Sequence, residues 1–283
     1  MNKFKVEQNR EHYMALVPLG GKTGGGDADL YGNGSDGDIT WSSNQNAGGL
    51  YQTSSFTITS GTNITVPNSD KILVVFSTGK ITVEDNVTVD ASGSGGAGGA
   101  GGIGGYSGDT GYGDPGTAGE LEGEGSVSAP QGLEVVGILG KSIEVAQNQL
   151  PPGSGGDGGD GGYDAVDQSY GEGGGGDGGN GGGGVVFVAP TVELASSASI
   201  NVSGNDGQDG QDGASNANNS PGGDGGDGGH GGIFGVFGSN LQVNATVDKS
   251  GGAGGAGGTG YNGGGDGFNG SSGGTGYETI NNL

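Results

Sequence analysis

Short stretches in which apolar and polar residues alternate recur along the chain, at Ile81-Thr82-Val83, Ile143-Glu144-Val145, Val192-Glu193-Leu194 and Leu241-Gln242-Val243. A period of two places every second side chain on one face and predicts half-buried β-strands. Each stretch follows a denser apolar run: Ile72 to Phe76, Leu133 to Val136, Val185 to Val188 and Ile233 to Phe237. Three are followed by a further alternating piece, Val87-Thr88-Val89, Ile200-Asn201-Val202 and Val243 to Val247. The repeating unit is therefore strand, turn, strand, often a third strand, and then a long glycine-rich excursion. One such unit cannot bury its apolar face alone, whereas stacked copies share a narrow continuous core. The prediction is an all-β, solenoid-like fold, a parallel β-helix in preference to a sandwich, because the units recur in the same order at similar length. Residues 39–66, with Ile39-Thr40-Trp41 and Phe56-Thr57-Ile58-Thr59, read as an atypical first unit or cap. The resulting division is 1–38 as an amino-terminal attachment segment, 39–92 as the β-rich cap and first repeat, and 93–283 as strand repeats alternating with the excursions.

Glycine punctuates this pattern in blocks. Of 78 glycines, 61 fall within 93–125, 153–184, 203–232 and 250–276. Inside the blocks they keep a three-residue beat, as in GGAGGAGGIGG at 95–105 and GGDGGDGGHGG at 222–232. Three residues per turn is the repeat of the extended left-handed polyproline-II helix, which has no internal hydrogen bonds. A Gly-Gly-X strand in that form shows bare backbone on two of its three faces, so neighbouring strands can approach until N–H groups meet carbonyls. Asp at X (Asp157, Asp160, Asp224, Asp227) predicts rows facing water. Ala at X (Ala97, Ala100, Ala253, Ala256) predicts rows packed against another layer. Ordering glycine costs roughly 0.5–1 kcal/mol more than ordering Ala, so such strands need a cooperative bundle. Each block is also interrupted near its middle, which predicts a hairpin of two polyglycine-II strands whose tip stands about 25 Å from the β-strands for eight residues at roughly 3.1 Å each. Aromatic, amide and acidic side chains collect in these interruptions. Tyr106, Tyr112, Tyr163, Asp164, Gln168, Tyr170, Asn216, Asn218, Tyr261 and Phe268 are the candidate binding residues, since rigid aromatics on loops carried by a stiff scaffold suit a recognition surface.

Composition narrows the function. Eight Lys and Arg against 32 Asp and Glu give a net charge of −24, the wrong sign for neutralising nucleic-acid phosphates or settling on an anionic membrane. Nucleic acid and membrane insertion are therefore not expected. With no Cys there are no disulfides, thiolate metal sites or cysteine nucleophiles. The two histidines, His12 and His230, lie in no context resembling a catalytic triad, and a non-enzymatic protein without a cofactor is expected. The Asp-rich tracts invite comparison with calcium-binding β-rolls, but the period is three, not nine; any Ca²⁺ would be held loosely. The start of the chain offers Lys3 and Lys5 and then only the short apolar run Met14 to Leu19, which is not the pattern of a secretory leader.

Doubled-glycine triplets interrupted by aromatic-bearing tips resemble the glycine-rich adhesins at the distal end of T-even-type bacteriophage long tail fibres. The resemblance runs from Gly93 to Gly276 and leaves residues 1–92 aside. It implies polyglycine-II strands in a layered sandwich and tip loops that contact a host receptor, either a bacterial outer-membrane protein or a surface glycan. It also implies location in the virion after assembly in the host cytoplasm. Residues 1–38, with two early lysines and a compact apolar patch, are expected on their own residues to dock on other fibre subunits. A structural subunit assembling into filaments is the competing expectation, homo-oligomerisation being common to both; an ice-binding or calcium-binding surface ranks below it.

Overall fold

The computed structural model of the chain describes residues 31–102, 173–215 and 219–283. Among the described residues fifteen strands wind through three parallel sheets, so the fold is an all-β solenoid. The first sheet holds β1 (Asp38–Trp41), β4 (Ser55–Ile58), β7 (Lys80–Val83), β10 (Thr191–Leu194) and β13 (Asn240–Val243). The second holds β2 (Gln45–Asn46), β5 (Asn63–Thr65), β8 (Thr88–Asp90), β11 (Ser199–Asn201) and β14 (Thr246–Asp248). The third holds β3 (Gly49–Thr53), β6 (Ile72–Ser77), β9 (Gly184–Val188), β12 (Ile233–Gly238) and β15 (Tyr277–Asn282). Each strand pairs with the strand three elements away, which is the signature of five stacked coils of three strands.

Register follows the hydrophobic pattern. Phe56, Ile81, Val192 and Leu241 form one inward ladder, and Ile64, Val89, Ile200 and Val247 form another. These side chains fill a single core that runs the length of the stack. The third sheet differs, because both its faces are apolar. Val75, Phe187 and Val236 point into the main core, while Val74, Val186, Val188 and Phe237 form a second cluster with Tyr31. This accounts for its dense apolar runs: a parallel sheet buried on both sides reads as continuous hydrophobicity, and one buried on a single side alternates.

The stretch read as an atypical cap is regular, since β1 to β5 already occupy all three sheets. What finishes that end is the preceding turn. The Asp36 N–H donates to the Gln52 carbonyl at 2.8 Å and the Gln52 N–H to the Asp36 carboxylate at 2.7 Å, which occupies the outer edge of β3. One expectation on stacking needs correction. β7 pairs directly with β10, and β6 with β9, so no coil lies between them. The strands expected at 133–136 and 143–145 fall outside the described residues.

Candidate functional site

The glycine-rich excursions all leave the solenoid at one corner, between the second and third sheets, after β8, β11 and β14. A local motif marks each departure. Asp90 accepts from the N–H and hydroxyl of Ser92, and Asp248 from those of Ser250; Asn201 accepts from the Ser203 N–H. The sequence at these points is Asp/Asn-x-Ser-Gly, a side-chain turn that redirects the backbone. Its bonds to Ser250 hold the Asp248 carboxyl below the usual Asp range. At the same corner the second coil has Thr65-Val66-Pro67 and passes straight on to β6. This motif was not recognised in the sequence reading, although its recurrence at 90–93, 201–204 and 248–251 is visible there.

Beyond the corner the described residues form six straight rods: rod 1 (95–102), rod 2 (173–183), rod 3 (203–213), rod 4 (221–232), rod 5 (250–260) and rod 6 (264–276). Hydrogen bonds between them advance by three residues at each step. Rod 2 donates from Gly175, Gly178 and Gly181 to Gly102, Gly99 and Gly96 of rod 1, each at 2.8 Å. Rod 4 donates from Gly223, Gly226 and Gly229 to Gln211, Gln208 and Asn205 of rod 3, each at 2.9 Å. Rod 6 donates from Gly267, Gly270 and Gly273 to Gly258, Gly255 and Gly252 of rod 5. These pairs are antiparallel. Parallel bonds join rod 3 to rod 5 (Gly207 to Ala253, Gly210 to Ala256) and rod 4 to rod 6 (Gly225 to Phe268, Gly228 to Ser271). Outgoing rods thus lie beside outgoing rods and returning beside returning, in two layers of polyglycine-II type.

The doubled glycines are required by contact. A methyl group added at Gly226 would fall inside the contact radius of the Asp177 carbonyl oxygen, and one at Gly255 inside that of Gln208. Every X side chain is consequently driven outward. This corrects the expectation for Ala in the last block: Ala253 and Ala256 are exposed, with no further layer over them among the described residues, and the Ala97 and Ala100 positions are exposed as well. The Asp rows do more than face water. Asp206, Asp209 and Asp212 accept the N–H groups of Ala253, Ala256 and Thr259 at 2.7 Å. Asp224 and Asp227 accept from Phe268 and Ser271, Asp177 from Gly101, and His230 Nδ1 accepts from Gly274 at 2.9 Å. The rod N–H groups that point at a neighbouring X position rather than at a carbonyl are thus accepted by its side chain. Asp157, Asp160 and His12 lie outside the described residues.

Rods 3 and 4, and rods 5 and 6, form hairpins within their own blocks, as expected. The strand expected to pair with rod 2 in its own block, 155–162, lies outside the described residues; within them rod 2 is antiparallel to rod 1 and to rod 3. The ends of rods 1 and 2, Gly102 and Gly173, frame residues 103–172.

Two tips meet at the far end of the lattice. Ser220 and Tyr261 exchange both backbone bonds, at 3.0 and 2.8 Å, and the Asn219 N–H donates to the Asn262 carbonyl at 3.1 Å. The Asn262 side-chain amide reaches the Ser215 carbonyl at 3.1 Å, and the Ala214 N–H reaches the Ser220 hydroxyl at 2.6 Å. Asn219 and Asn262 both hold left-handed backbone, with φ of 52° and 51°, next to Gly263 at 99°. Asn is the non-glycine residue that tolerates this region best. Tyr261 is at the tip as expected and is 37% exposed. Phe268 is not: it lies on the shaft of rod 6, where its carbonyl accepts from Gly225, and its ring is 78% exposed. The other candidates, Tyr106, Tyr112, Tyr163, Asp164, Gln168, Tyr170, Asn216 and Asn218, lie outside the described residues.

A polar groove of about 320 Å³ runs along the rods, lined by Gly98, Ala100, Asp177, Asn180, Asp206 and Gln208. Both of its carboxylates already accept a backbone N–H. Among the described residues no three His, Asp or Glu side chains converge as metal ligands, and none of the strands or rods is a helix long and apolar enough to cross a membrane. No family model, no curated protein and no solved structure matches the chain.

Proposed function

We propose that the chain is a non-enzymatic adhesin of a bacteriophage tail fibre, binding a bacterial surface receptor through the loops at the ends of its polyglycine-II hairpins. The observation that carries this reading is the pairing of two tips from separate hairpins. Ser215, Asn219, Ser220, Tyr261 and Asn262 are tied into one patch at the end of the rods, presenting amide, hydroxyl and phenol groups on fixed backbone. Rigid display of amphipathic side chains lowers the ordering cost of binding. An outer-membrane protein loop or a glycan supplies the hydrogen-bonding surface that such groups recognise.

Retention of labelled protein on intact host cells tests the reading. Tyr261→Ala, in a protein whose melting is unchanged, is expected to lower retention at least tenfold. If Tyr261→Ala and a second variant with the loop 163–170 replaced by Gly-Ser residues are both retained like the parent, the tips are not the contact.

A further inference from the structure

We propose that the edge formed by the last coil and the last two rods is a two-fold self-association surface that joins two copies of this chain. Among the described residues β13, β14 and β15 each pair on one side only, and rod 6 bonds only to rods 4 and 5. The Asp266, Asn269, Ser272 and Thr275 N–H groups have no acceptor within the described residues. An open edge of this kind is a template for another chain, and proteins usually blunt it with proline, lysine or a covering segment. Residues 239–283 contain no proline and one lysine, Lys249, which is paired with Glu278.

Exposed apolar groups gather at the same place. Phe268, Tyr277 and Ile280 are 78%, 62% and 44% exposed, and Leu241, Val243 and Val247 at the open end of the core are only half-buried. Charge selects the partner. Residues 239–283 carry Asp248, Asp266, Glu278 and Lys249, so one positive and three negative groups leave −2 of the −24. This is a place where a second strongly acidic copy meets little repulsion. The pairing geometry is one the sequence already makes, since rods 5 and 6 join antiparallel at a three-residue step, and a two-fold axis sets rod 6 of one copy antiparallel to rod 6 of the other. At the opposite end β1 and β2 also pair on one side only, while Gln52 of β3 is engaged by Asp36. The exposed Phe268, Tyr277 and Ile280 are confined to the last edge, and association of that edge with itself is isologous and stops at two.

Sedimentation equilibrium of the full chain from low to high micromolar concentration is expected to fit a monomer–dimer scheme. Phe268→Asp and Ile280→Lys should each weaken the dimer at least tenfold, with the melting of the dilute protein unchanged. Because the chain has no cysteine, Ser272→Cys provides a reporter that does not depend on destabilising the edge. A short bis-maleimide should capture it as a covalent dimer, and the same treatment of Ser60→Cys should not. A protein that stays monomeric throughout, one that grows past two copies, or a dimer that survives both edge substitutions and leaves Ser272→Cys uncaptured would overturn the proposal.

Discussion

At the scale of single residues, the lattice assigns opposite tolerances to neighbours in one triplet. Gly226→Ala pushes a methyl into the Asp177 carbonyl, a clash with the backbone of rod 2, and overpacking of this kind costs about 3 kcal/mol. Ala256→Ser, on the exposed third face, is expected to stay within about 0.5 kcal/mol. Urea unfolding of the two variants measures the contrast directly. Asp227→Ala removes the acceptor of the Ser271 N–H; the group is half-buried and water can replace the carboxylate in part, so the expected loss is about 0.5–1 kcal/mol. Titration at the launching turn has a defined sign. The folded Asp248 carboxyl titrates below its ordinary value because the Ser250 N–H and hydroxyl favour the charged form. Its contribution is therefore complete above the unfolded pKa and is lost as pH falls through the lowered folded one. NMR titration of Ser250→Ala should show the Asp248 carboxyl moving back up toward 3.8.

At the scale of elements, two kinds of order meet at one corner. The coils hold together by burying side chains, so Phe187→Ala, at a position with no exposure, should cost about 3–5 kcal/mol. The rods bury almost none and depend on N–H to carbonyl bonds. Rod 4 has four hydrogen-bonded neighbours, rods 2, 3, 5 and 6. Hydrogen exchange should accordingly be slowest at the Gly223, Gly226 and Gly229 amides; exchange there as fast as at Gly61, in an exposed solenoid turn, would contradict the lattice. Much of this was legible in the chain. The alternation at 81–83, 192–194 and 241–243 and the runs at 72–76, 185–188 and 233–237 located the strands, while the burial of the third sheet on both faces emerged only from the packing. The glycine triplets located the rods. Partner choice was not legible, because glycine triplets recur in every block and nothing in rod 2 singles out rods 1, 3 and 4 as its neighbours. Phe268 was misplaced for a related reason: an aromatic at X looks like a tip residue unless the hydrogen-bond register fixes where the rod ends. The Asp residues read as solvent-facing because an acceptor role emerges only when a neighbouring rod supplies the N–H.

At the scale of the whole molecule, the proposed function divides structural and recognition duties spatially. The solenoid supplies the conventional core and the rods carry the tips away from it. A charge of −24 gives long-range repulsion from other acidic surfaces that salt screens over about 8–10 Å. Dimerisation through the last edge should therefore strengthen between 20 mM and 150 mM NaCl, as read by sedimentation. Tip-mediated retention on cells should still depend on Tyr261 at both salt concentrations, which separates the two surfaces experimentally.

The shared three-residue step turns the shaft into a ruler. Adding one Gly-Gly-X triplet to both an outgoing and its returning rod keeps every donor opposite an acceptor and carries the tip about 9 Å farther out. Adding one or two residues rotates bare backbone out of contact instead. Lineages of such chains can thus retune how far the loops project in whole-triplet increments, while the coils beneath keep their sequence untouched.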